Sequence, residues 1–297
     1  MTNVIITLIH TQEKNLTRVL ESYVNQTIQP DSYIFVLDRC SDNSRKVLEN
    51  FQKKYPVYIL ENNSGEGFLA GYCRDFGVNF VKTLYENFSI LFLDGDCVPS
   101  EKIFEETFKV LNVENEMITI GRRISEKEDG IDFHDDPRIL SPITKNKIFK
   151  EGFNNIVSDM HFARQRSITW SCCLGLNYSA LNFIEYVVEI ITEDRRIFSK
   201  AFDGTWGGED DFIGLIAMFY DIPVVAIDPG HFIRHIYHDS RKNETFTSVL
   251  KNEYKKLRAL AIKTNAPGIK FSEMDMEKVI SKAMLEFSEK LKAANYQ

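Results

Sequence analysis

Two carboxylates stand at the end of a strongly apolar run, in the sequence SILFLDGDC at residues 89–97. One glycine separates Asp94 from Asp96, so a turn there lets both side chains reach a single cation. Carboxylate oxygens are hard ligands that suit Mg²⁺ or Mn²⁺, and either ion would neutralise a diphosphate. A simple turn is an equally good interpretation of an Asp-Gly pair taken alone. The two acids therefore predict a metal site only if other parts of the chain support it.

Three successive acids follow a glycine pair in FDGTWGGEDDFIGLIAMF, at residues 202–219. The apolar residues after them recur at helical spacing, which places Glu209, Asp210 and Asp211 at a helix N-terminus. The helix macrodipole favours anionic side chains there, so we expect these carboxylates to be ionised at neutral pH. An ionised carboxylate beside flexible glycines is a candidate general base, although acids also occupy this position as simple helix caps.

Three of the six histidines fall within eight residues, in the segment HFIRHIYHDSRKNETF at residues 231–246. Neutral imidazole binds Mn²⁺ and Zn²⁺ well and Mg²⁺ poorly. His235 and His238 are accompanied by Arg234 and Arg241, whose guanidinium groups match phosphate oxygens. The segment predicts a site for a cation and a phosphate, with isolated surface histidines as the alternative.

The first hundred residues contain the elements that must position these groups. Short runs rich in β-branched and aromatic residues predict buried parallel strands. The runs lie at 4–9, 33–38, 57–61 and 89–94. Between them, apolar residues at helical spacing predict amphipathic helices over 16–24 and 47–51. This alternation is typical of a parallel sheet with helices on both faces, whose ligand sites lie at the carboxyl ends of the strands. Asp38, Asp94 and Asp96 all stand at such ends.

The rest of the chain is less regular. Residues 121–152 are polar and rich in turn formers, which predicts a long excursion over the sheet. Residues 169–184 predict a strand that leads into a helix. From residue 244 onward the pattern is mostly helical, and no internal repeat is present.

Composition excludes several classes of protein. The 297 residues are 43% hydrophobic and 27% charged, which is an ordinary globular balance and excludes general disorder. The five cysteines lack paired CxxC spacing, which predicts reduced thiols rather than disulfides or a zinc site. No apolar run reaches about 18 residues and no signal-peptide pattern opens the chain, so we expect a cytoplasmic protein without a transmembrane segment. A net charge of −7 argues against a nucleic-acid surface over the whole chain.

Taken together and in this order, the motifs resemble those of family 2 glycosyltransferases with the GT-A fold. Residues 3–44, with NQT after the first helix and an acidic turn after the second strand, are similar to the first nucleotide-binding unit of that family. FLDGDCVPS resembles its DxD metal motif. WGGEDD and FIRH are close to the carboxyl half of the animal β-1,4-galactosyltransferases. The resemblance spans residues 3–245 and implies a Rossmann-like, mostly parallel α/β sheet flanked by helices.

The resemblance also implies that different segments of the chain have different functions. Residues 1–240 would form the GT-A domain, and residues 241–297 would form a C-terminal helical extension. Within the domain, residues 1–100 would bind the nucleotide sugar, and residues 101–240 would bind the acceptor and carry out catalysis.

Individual roles follow from the same resemblance. Asp210 would deprotonate the acceptor hydroxyl, with Glu209 as the second catalytic candidate. Asp96 and His235 would bind the metal ion, Mn²⁺ or Mg²⁺, with His238 as a further ligand. The residues that would contact the donor are Asp38 (base), Arg74 (nucleotide), Asp94 (ribose or metal), Trp206 and Gly208 (sugar pocket) and Arg234 (phosphate).

Three features depart from the family pattern. The helix after WGGEDD reads FIGLIAM, where family 2 usually continues with an acid and then an arginine. Phe232 stands where the galactosyltransferase element has a methionine ligand, so His238 or water would have to complete the metal site. Arg39 follows Asp38 where family 2 commonly has a second aspartate, and this change affects base recognition.

The combined prediction is a metal-dependent, inverting glycosyltransferase that uses a nucleotide sugar, a UDP-sugar by resemblance, and an acceptor hydroxyl. One alternative is a nucleotidyltransferase, which would need a glycine-rich basic loop after the first strand that HTQEKN does not provide. The other is a carbohydrate-binding protein with the same fold and no activity. Residues 241–270 carry eight Lys or Arg against two Glu. This basic segment is interpreted first as a solvated helix face. The functional alternative is a surface for an anionic partner, namely a phosphate-bearing glycan, a membrane surface or nucleic acid whose modified bases receive a sugar.

Overall fold

The computed structural model describes residues 1–67, 69–126, 133–135, 171–205, 207–227, 230–236 and 246–267. The strands are β1 (Thr2–Ile9), β2 (Ser32–Asp38), β3 (Val57–Asn62), β4 (Phe88–Asp94), β5 (Cys97–Pro99), β6 (Ile118–Ile120), β7 (Arg122–Glu126), β8 (Phe133–Asp135), β9 (Leu174–Asn177), β10 (Val224–Ala226) and β11 (Phe232–His235). The α-helices are α1 (Glu13–Val24), α2 (Ser44–Gln52), α3 (Ala70–Leu84), α4 (Ile103–Leu111), α5 (Tyr178–Thr192), α6 (Glu209–Tyr220) and α7 (Phe246–Lys263). Short 3-10 turns lie at Ser171–Cys173 and Lys200–Phe202.

The described strands form two sheets. The larger one has the order β10-β6-β9-β4-β1-β2-β3, in which β4, β1, β2 and β3 are parallel and β9 runs antiparallel between β4 and β6. The smaller one has the order β5-β11-β7-β8. The mostly parallel α/β sheet predicted from the sequence is confirmed, with each of the four predicted strands in place.

Helices cover both faces of the larger sheet because its central strands are apolar on both sides. On one face, Ile6 and Ile34 belong to a buried cluster formed with α3, α5, α6 and α7. On the other, Ile5 and Phe35 pack in a second cluster with α1, α2 and α4. Since neighbouring residues of a strand point to opposite faces, the continuous apolar runs supply both cores at once.

Part of the expected excursion over residues 121–152 is a strand. β7 pairs in parallel with β11 and antiparallel with β8, which makes it an internal strand of the smaller sheet. Its polar composition is accommodated by ion pairing, since the buried Glu126 accepts a hydrogen bond from Arg18 on α1. Polar residues in this segment therefore misled the sequence analysis. The remainder of the segment, apart from residues 133–135, lies outside the described residues.

Helix α7 follows residue 240, where the sequence predicts a helical extension, and the division of the chain at that residue stays a prediction. Leu257 and Ala261 are buried against the domain, and the rings of Tyr254 and Phe219 lie 5.9 Å apart, which fastens α7 to α6. Residues 268–297 lie outside the described part of the chain. None of the described helices is long and apolar enough to cross a bilayer.

Candidate active site

A glycine fixes the turn between Asp94 and Asp96. The N–H of Gly95 donates to the carbonyl oxygen of Leu8 at 2.8 Å, which ties the end of β4 to β1. A Cβ on residue 95 would lie 3.1 Å from that oxygen and 3.1 Å from Cγ1 of Ile9, so the close approach leaves little room for a side chain. The two acids therefore lie on either side of a tight turn at the carboxyl end of a central strand.

Strand pairing in the smaller sheet brings His235 to Asp96. β11 runs antiparallel to β5 with His235 opposite Cys97, and the N–H of Ile236 donates to the carbonyl of Asp96 at 2.9 Å. As a result, Nε2 of His235 lies 3.5 Å from Oδ2 of Asp96. Two predicted metal ligands that are far apart in the sequence are thus neighbours in the structure.

Buried hydrogen bonds hold β5 in place beside α1. Gln26, the glutamine of NQT, donates through Nε2 to the carbonyl of Ser100 at 2.8 Å and accepts the N–H of Phe104 through Oε1 at 3.1 Å. Ser100 in turn accepts the N–H of Phe232 through Oγ at 3.0 Å. These contacts connect the first helix, the turn after the acids and the start of β11, so they limit the movement of His235 relative to Asp96.

A buried arginine joins the same acids to the N-terminus of α6. Arg74, on α3, donates through Nη2 to Oδ1 of Asp94 at 2.6 Å and through Nη1 to Oε1 of Glu209 at 2.8 Å. Its side chain is 4% exposed, and its guanidinium carbon lies 5.7 Å from the centre of the Phe198 ring. Burial raises the pKa of the Asp94 carboxyl, the charge of Arg74 opposes this rise, and the charge of Asp96 adds to it. Arg74 therefore links the two regions that carry the predicted site.

Helix α6 begins at the acids of WGGEDD, as its apolar spacing predicted. Gly208 precedes it with φ of 95°, in the left-handed region that favours glycine. Glu209 is buried, and burial raises its pKa to about 7, with the charge of Asp210 adding to the rise and that of Arg74 opposing it. Burial thus opposes the effect of the macrodipole, and a pKa of about 7 corresponds to partial rather than full ionisation of Glu209 at neutral pH. Asp210 is only partly buried and accepts the N–H of Asp211 through Oδ1 at 2.9 Å.

Both carboxylate oxygens of Asp38 are engaged by protein groups at the end of β2. Arg39 donates to Oδ1 at 2.8 Å and to Oδ2 at 2.6 Å, and Asn62 donates to Oδ1 at 2.9 Å. The same arginine donates to the carbonyls of Gly65 at 3.2 Å and Gly67 at 2.7 Å. Asp38 thus orders the turn after β3 through Arg39, and its contact with a nucleobase stays a prediction.

A second buried ion pair, which the sequence analysis missed, holds the segment before α6. Asp75 on α3 accepts the N–H of Ile197 at 2.9 Å and Nε of Arg196 at 3.1 Å. Arg196 also donates to both oxygens of Asp203, at 2.8 and 2.9 Å. Burial raises the pKa of Asp75 to about 7, although Arg196 opposes the rise. The available signal was a pair of adjacent charges, Arg74 and Asp75, within a helix that packs on the core.

The smaller sheet carries two of the predicted site residues and one further basic residue. Arg234 and His235 are consecutive on β11, so their side chains face opposite sides of the smaller sheet, and a site that uses both stays a prediction. Arg123 lies opposite Ile233 in the pairing of β7 with β11, on the side that His235 faces, and its charge lowers the pKa of Asp94. No motif marked Arg123, because the prediction placed it in a loop. Trp206, His238 and Arg241 lie outside the described residues.

The donor set fits a hard or borderline divalent cation. Candidate ligand atoms of Asp94, Asp96 and Cys97 lie within 4.8 Å of one another, and the imidazole of His235 adjoins Asp96. Two carboxylates and an imidazole suit Mn²⁺, whereas the carboxylates alone suit Mg²⁺. A cysteine binds metal as the thiolate, and burial raises the pKa of the Cys97 thiol well above its ordinary value, which opposes that form.

A twisted α/β sheet with acids at the ends of β2 and β4, joined to a small mixed sheet that carries a histidine, defines a glycosyltransferase of the GT-A fold. The chain belongs to glycosyl transferase family 2, whose family model matches residues 4–173. The predicted family, fold and enzyme class are thereby confirmed. The match does not reach WGGEDD or the FIRH element, so the likeness of these two motifs to β-1,4-galactosyltransferases stays a prediction.

Solved structures agree on the fold. The chain resembles S. aureus TarS 1-349, with 12% identity over 98% of this chain and 73% of that one and a TM-score of 0.63. TarS 1-349 in complex with UDP gives a TM-score of 0.60 at 13% identity, over 96% of this chain and 71% of that one. GalNAc-T7 with UDP, GalNAc and Mn²⁺ gives 0.58 at 14% identity, over 95% of this chain and 54% of that one. No curated protein matches the sequence.

Proposed function

We propose that the protein transfers a sugar from a UDP-sugar to an acceptor hydroxyl, with a divalent metal ion and inversion at the anomeric carbon. The observation that carries the proposal is the double contact of Arg74 with Asp94 and Glu209. It brings the N-terminus of α6, and Asp210 with it, to the acids at the end of β4. The presence of UDP in the similar structures of TarS and GalNAc-T7, and of Mn²⁺ in the latter, supports the choice of donor and metal.

Asp96 and His235 would hold the metal ion, and Asp94 would complete the set or contact the ribose. A divalent cation bound there would act as a Lewis acid that offsets negative charge on the diphosphate. Asp38 would orient the base, with Arg39 and Asn62 fixing its carboxylate. Arg74 is buried between two acids, so we assign it a positioning role rather than the direct contact with nucleotide that the resemblance implied.

Further donor contacts follow from the motifs. Gly208 and Trp206 would line the sugar pocket, and Arg234 would bind phosphate only if its face of the smaller sheet lies toward the donor. His238 would be an additional metal ligand. The assignments of Trp206 and His238 depend on the sequence alone, since both lie outside the described residues.

Asp210 is the better candidate for the general base. Glu209 is buried and held by Arg74, whereas the carboxylate of Asp210 is partly exposed at the start of the same helix. Asp210 would take the proton of the acceptor hydroxyl as its oxygen attacks the anomeric carbon. The bond from that carbon to the diphosphate oxygen breaks on the opposite face, which inverts the centre. Retention would need a carboxylate nucleophile, and Glu209, the candidate that the sequence suggests, is held by Arg74.

The test compares two neighbouring acids of α6. Asp210→Asn removes the proposed base, and Asp211→Asn is the matched control at the next position. We expect the first to lower transfer by at least about 100-fold, because a general base contributes about 10²- to 10⁴-fold, and the second to retain transfer. UDP release from a panel of UDP-sugars, measured with and without Mn²⁺, identifies the donor. Near-normal transfer by folded Asp210→Asn would refute the assignment of Asp210 as the general base. Full activity without any divalent ion would refute the metal dependence.

We further propose that the acceptor is anionic, a glycan with acidic groups in preference to a hydroxylated base in nucleic acid. Exposed cations on α7 support this, namely Lys255, Lys256, Arg258 and Lys263, while Glu253 of the same helix is buried and paired with Lys256. Electrostatic binding predicts that acceptor affinity falls steeply with added salt. An acceptor affinity that does not change with salt would argue against an anionic acceptor. Transfer to nucleic acid and not to glycans would show that the acceptor is a hydroxylated base.

A further inference from the structure

The carboxylate of Asp96 has a different neighbour on each oxygen. Oδ2 lies 3.5 Å from Nε2 of His235, and Oδ1 lies 3.5 Å from Sγ of Cys97. A thiol that carries its proton is a weak hydrogen-bond donor, and sulfur is bulkier than oxygen, so 3.5 Å is a normal distance for S–H···O. The next residue in the sequence thus engages the oxygen that does not face the histidine.

The sulfur of Cys97 is itself fixed in position. Its side chain is fully buried in the cluster that includes Leu93, Ile233 and Cys172. Its backbone lies in β5, directly opposite His235 in the pairing with β11. A donor that cannot move selects one orientation of the carboxylate it contacts.

We propose that Cys97 is a positioning residue of the metal site, whose S–H holds Oδ1 of Asp96 and leaves Oδ2 turned toward His235 for the cation. The inference rests on the proposed metal-dependent function. Two neighbouring ligand atoms about 2.1 Å from one octahedral ion are about 3 Å apart. The 3.5 Å between Oδ2 and Nε2 is close to that separation, so the contact with Cys97 holds the pair almost ready for metal.

Other interpretations of a buried cysteine here are that it only fills the core or that its sulfur binds the metal. Three substitutions separate them. Cys97→Ser keeps a donor and adds buried polarity, Cys97→Val keeps apolar volume and removes the donor, and Cys97→Ala removes both. Cys173→Ala is the matched control, because Cys173 is an equally buried thiol of the same cluster.

The primary measurement is the affinity of the full-length protein for Mn²⁺, read from the electron paramagnetic resonance signal of the free ion. Loss of a hydrogen bond to a metal ligand weakens metal binding by about 10- to 100-fold. We expect about 10-fold weaker binding, the low end of that range, for Cys97→Val and Cys97→Ala, and near-normal binding for Cys97→Ser and Cys173→Ala. Thermal unfolding of each variant verifies that it is folded.

A core-filling role predicts the reverse order, with the valine variant closest to the wild type and the serine variant most impaired, and that order would overturn the proposal. Binding of Co²⁺ provides a second readout, since a sulfur-to-cobalt charge-transfer band that disappears in Cys97→Ser would make Cys97 a ligand and also overturn it. Asp96→Asn distinguishes a failure of the role of Cys97 from a failure of the metal site itself. If Asp96→Asn weakens Mn²⁺ binding and the Cys97 variants do not, only the role of Cys97 fails. If Asp96→Asn leaves binding unchanged, the metal site and the role of Cys97 fail together.

Discussion

Removal of Arg74 provides the sharpest test of how the site is held together. The guanidinium is 4% exposed and contacts two acids, of which Glu209 is 5% and Asp94 28% exposed by side chain. Arg74→Met keeps most of the apolar volume and leaves the buried Glu209 without its counter-charge. Breaking a buried ion pair from one side costs about 3–5 kcal/mol of unfolding free energy. Loss of the contact with Asp94 adds less to this cost, because the Asp94 carboxylate is partly exposed to solvent.

The loss of unfolding free energy in Arg74→Met should depend on pH, because it depends on whether Glu209 is ionised. Its pKa in the folded protein is already raised to about 7 by burial, and without the opposing charge of Arg74 it rises further. An acid with a raised folded pKa binds its proton more tightly when folded, so its contribution is favourable at low pH and is lost as pH increases through that pKa. We therefore expect Arg74→Met to cost most at about pH 8 and clearly less at about pH 5, where Glu209 is protonated in the folded state.

The assay is urea unfolding at both pH values, with Arg45→Met as the control. Arg45 pairs with Glu49 and Glu61 at the surface, where solvent screens the charges, so we expect little change in stability at either pH. Adding Glu209→Gln to Arg74→Met removes the buried charge and should restore part of the loss at pH 8. An equal loss at both pH values, or a further loss in the double variant, would show that Arg74 acts by packing and not by charge.

Three other regions give independent predictions. Gly175→Ala should lower the unfolding free energy by about 1–3 kcal/mol, because the new Cβ would lie 2.1 Å from Oγ1 of Thr119; chemical unfolding measures this. The pKa of Asp75 in the folded protein is raised to about 7, so the unfolding free energy should fall by up to about 1.4 kcal/mol per pH unit as pH rises from about 4 to 7. Asp75→Asn should make this fall smaller, and unfolding measured across that pH range verifies it. Gln26→Leu should leave the N–H of Phe104 without its acceptor and cost about 1–3 kcal/mol, together with weaker Mn²⁺ binding if β5 shifts.

The sequence predicted the large sheet well because burial on both faces leaves a local signature. β1, β2, β3 and β4 are continuous apolar runs, and each was located to within one or two residues. The smaller sheet gives no such signature. Its strands are short and carry arginines and a glutamate, so hydrophobic periodicity is absent, and pairing between residues far apart in sequence decides their structure.

Electrostatic roles were harder to predict than positions. Asp38, Asp94, Asp96 and Asp210 were placed correctly at strand ends and at a helix start, because those positions follow from local pattern. The extent of ionisation of Glu209 could not be predicted from local pattern, since it depends on burial by distant segments, which raises its pKa to about 7. For the same reason burial here opposes the helix dipole, which favours the ionised form of an acid at an exposed helix N-terminus.

The family match and the site do not cover the same part of the chain. The match ends at residue 173, so it includes Asp94 and Asp96 but neither Asp210 nor His235. Direct contacts connect Asp210 and His235 to Asp94 and Asp96. His235 lies against Asp96, and Arg74, which contacts Asp94, also contacts Glu209, the residue before Asp210. Both contacts involve groups that are buried or nearly so, where an unpaired charge is costly. The segment that carries Asp94 and Asp96 therefore constrains where Asp210 and His235 can lie, and we expect a variant that removes Arg74 to impair transfer more than donor binding.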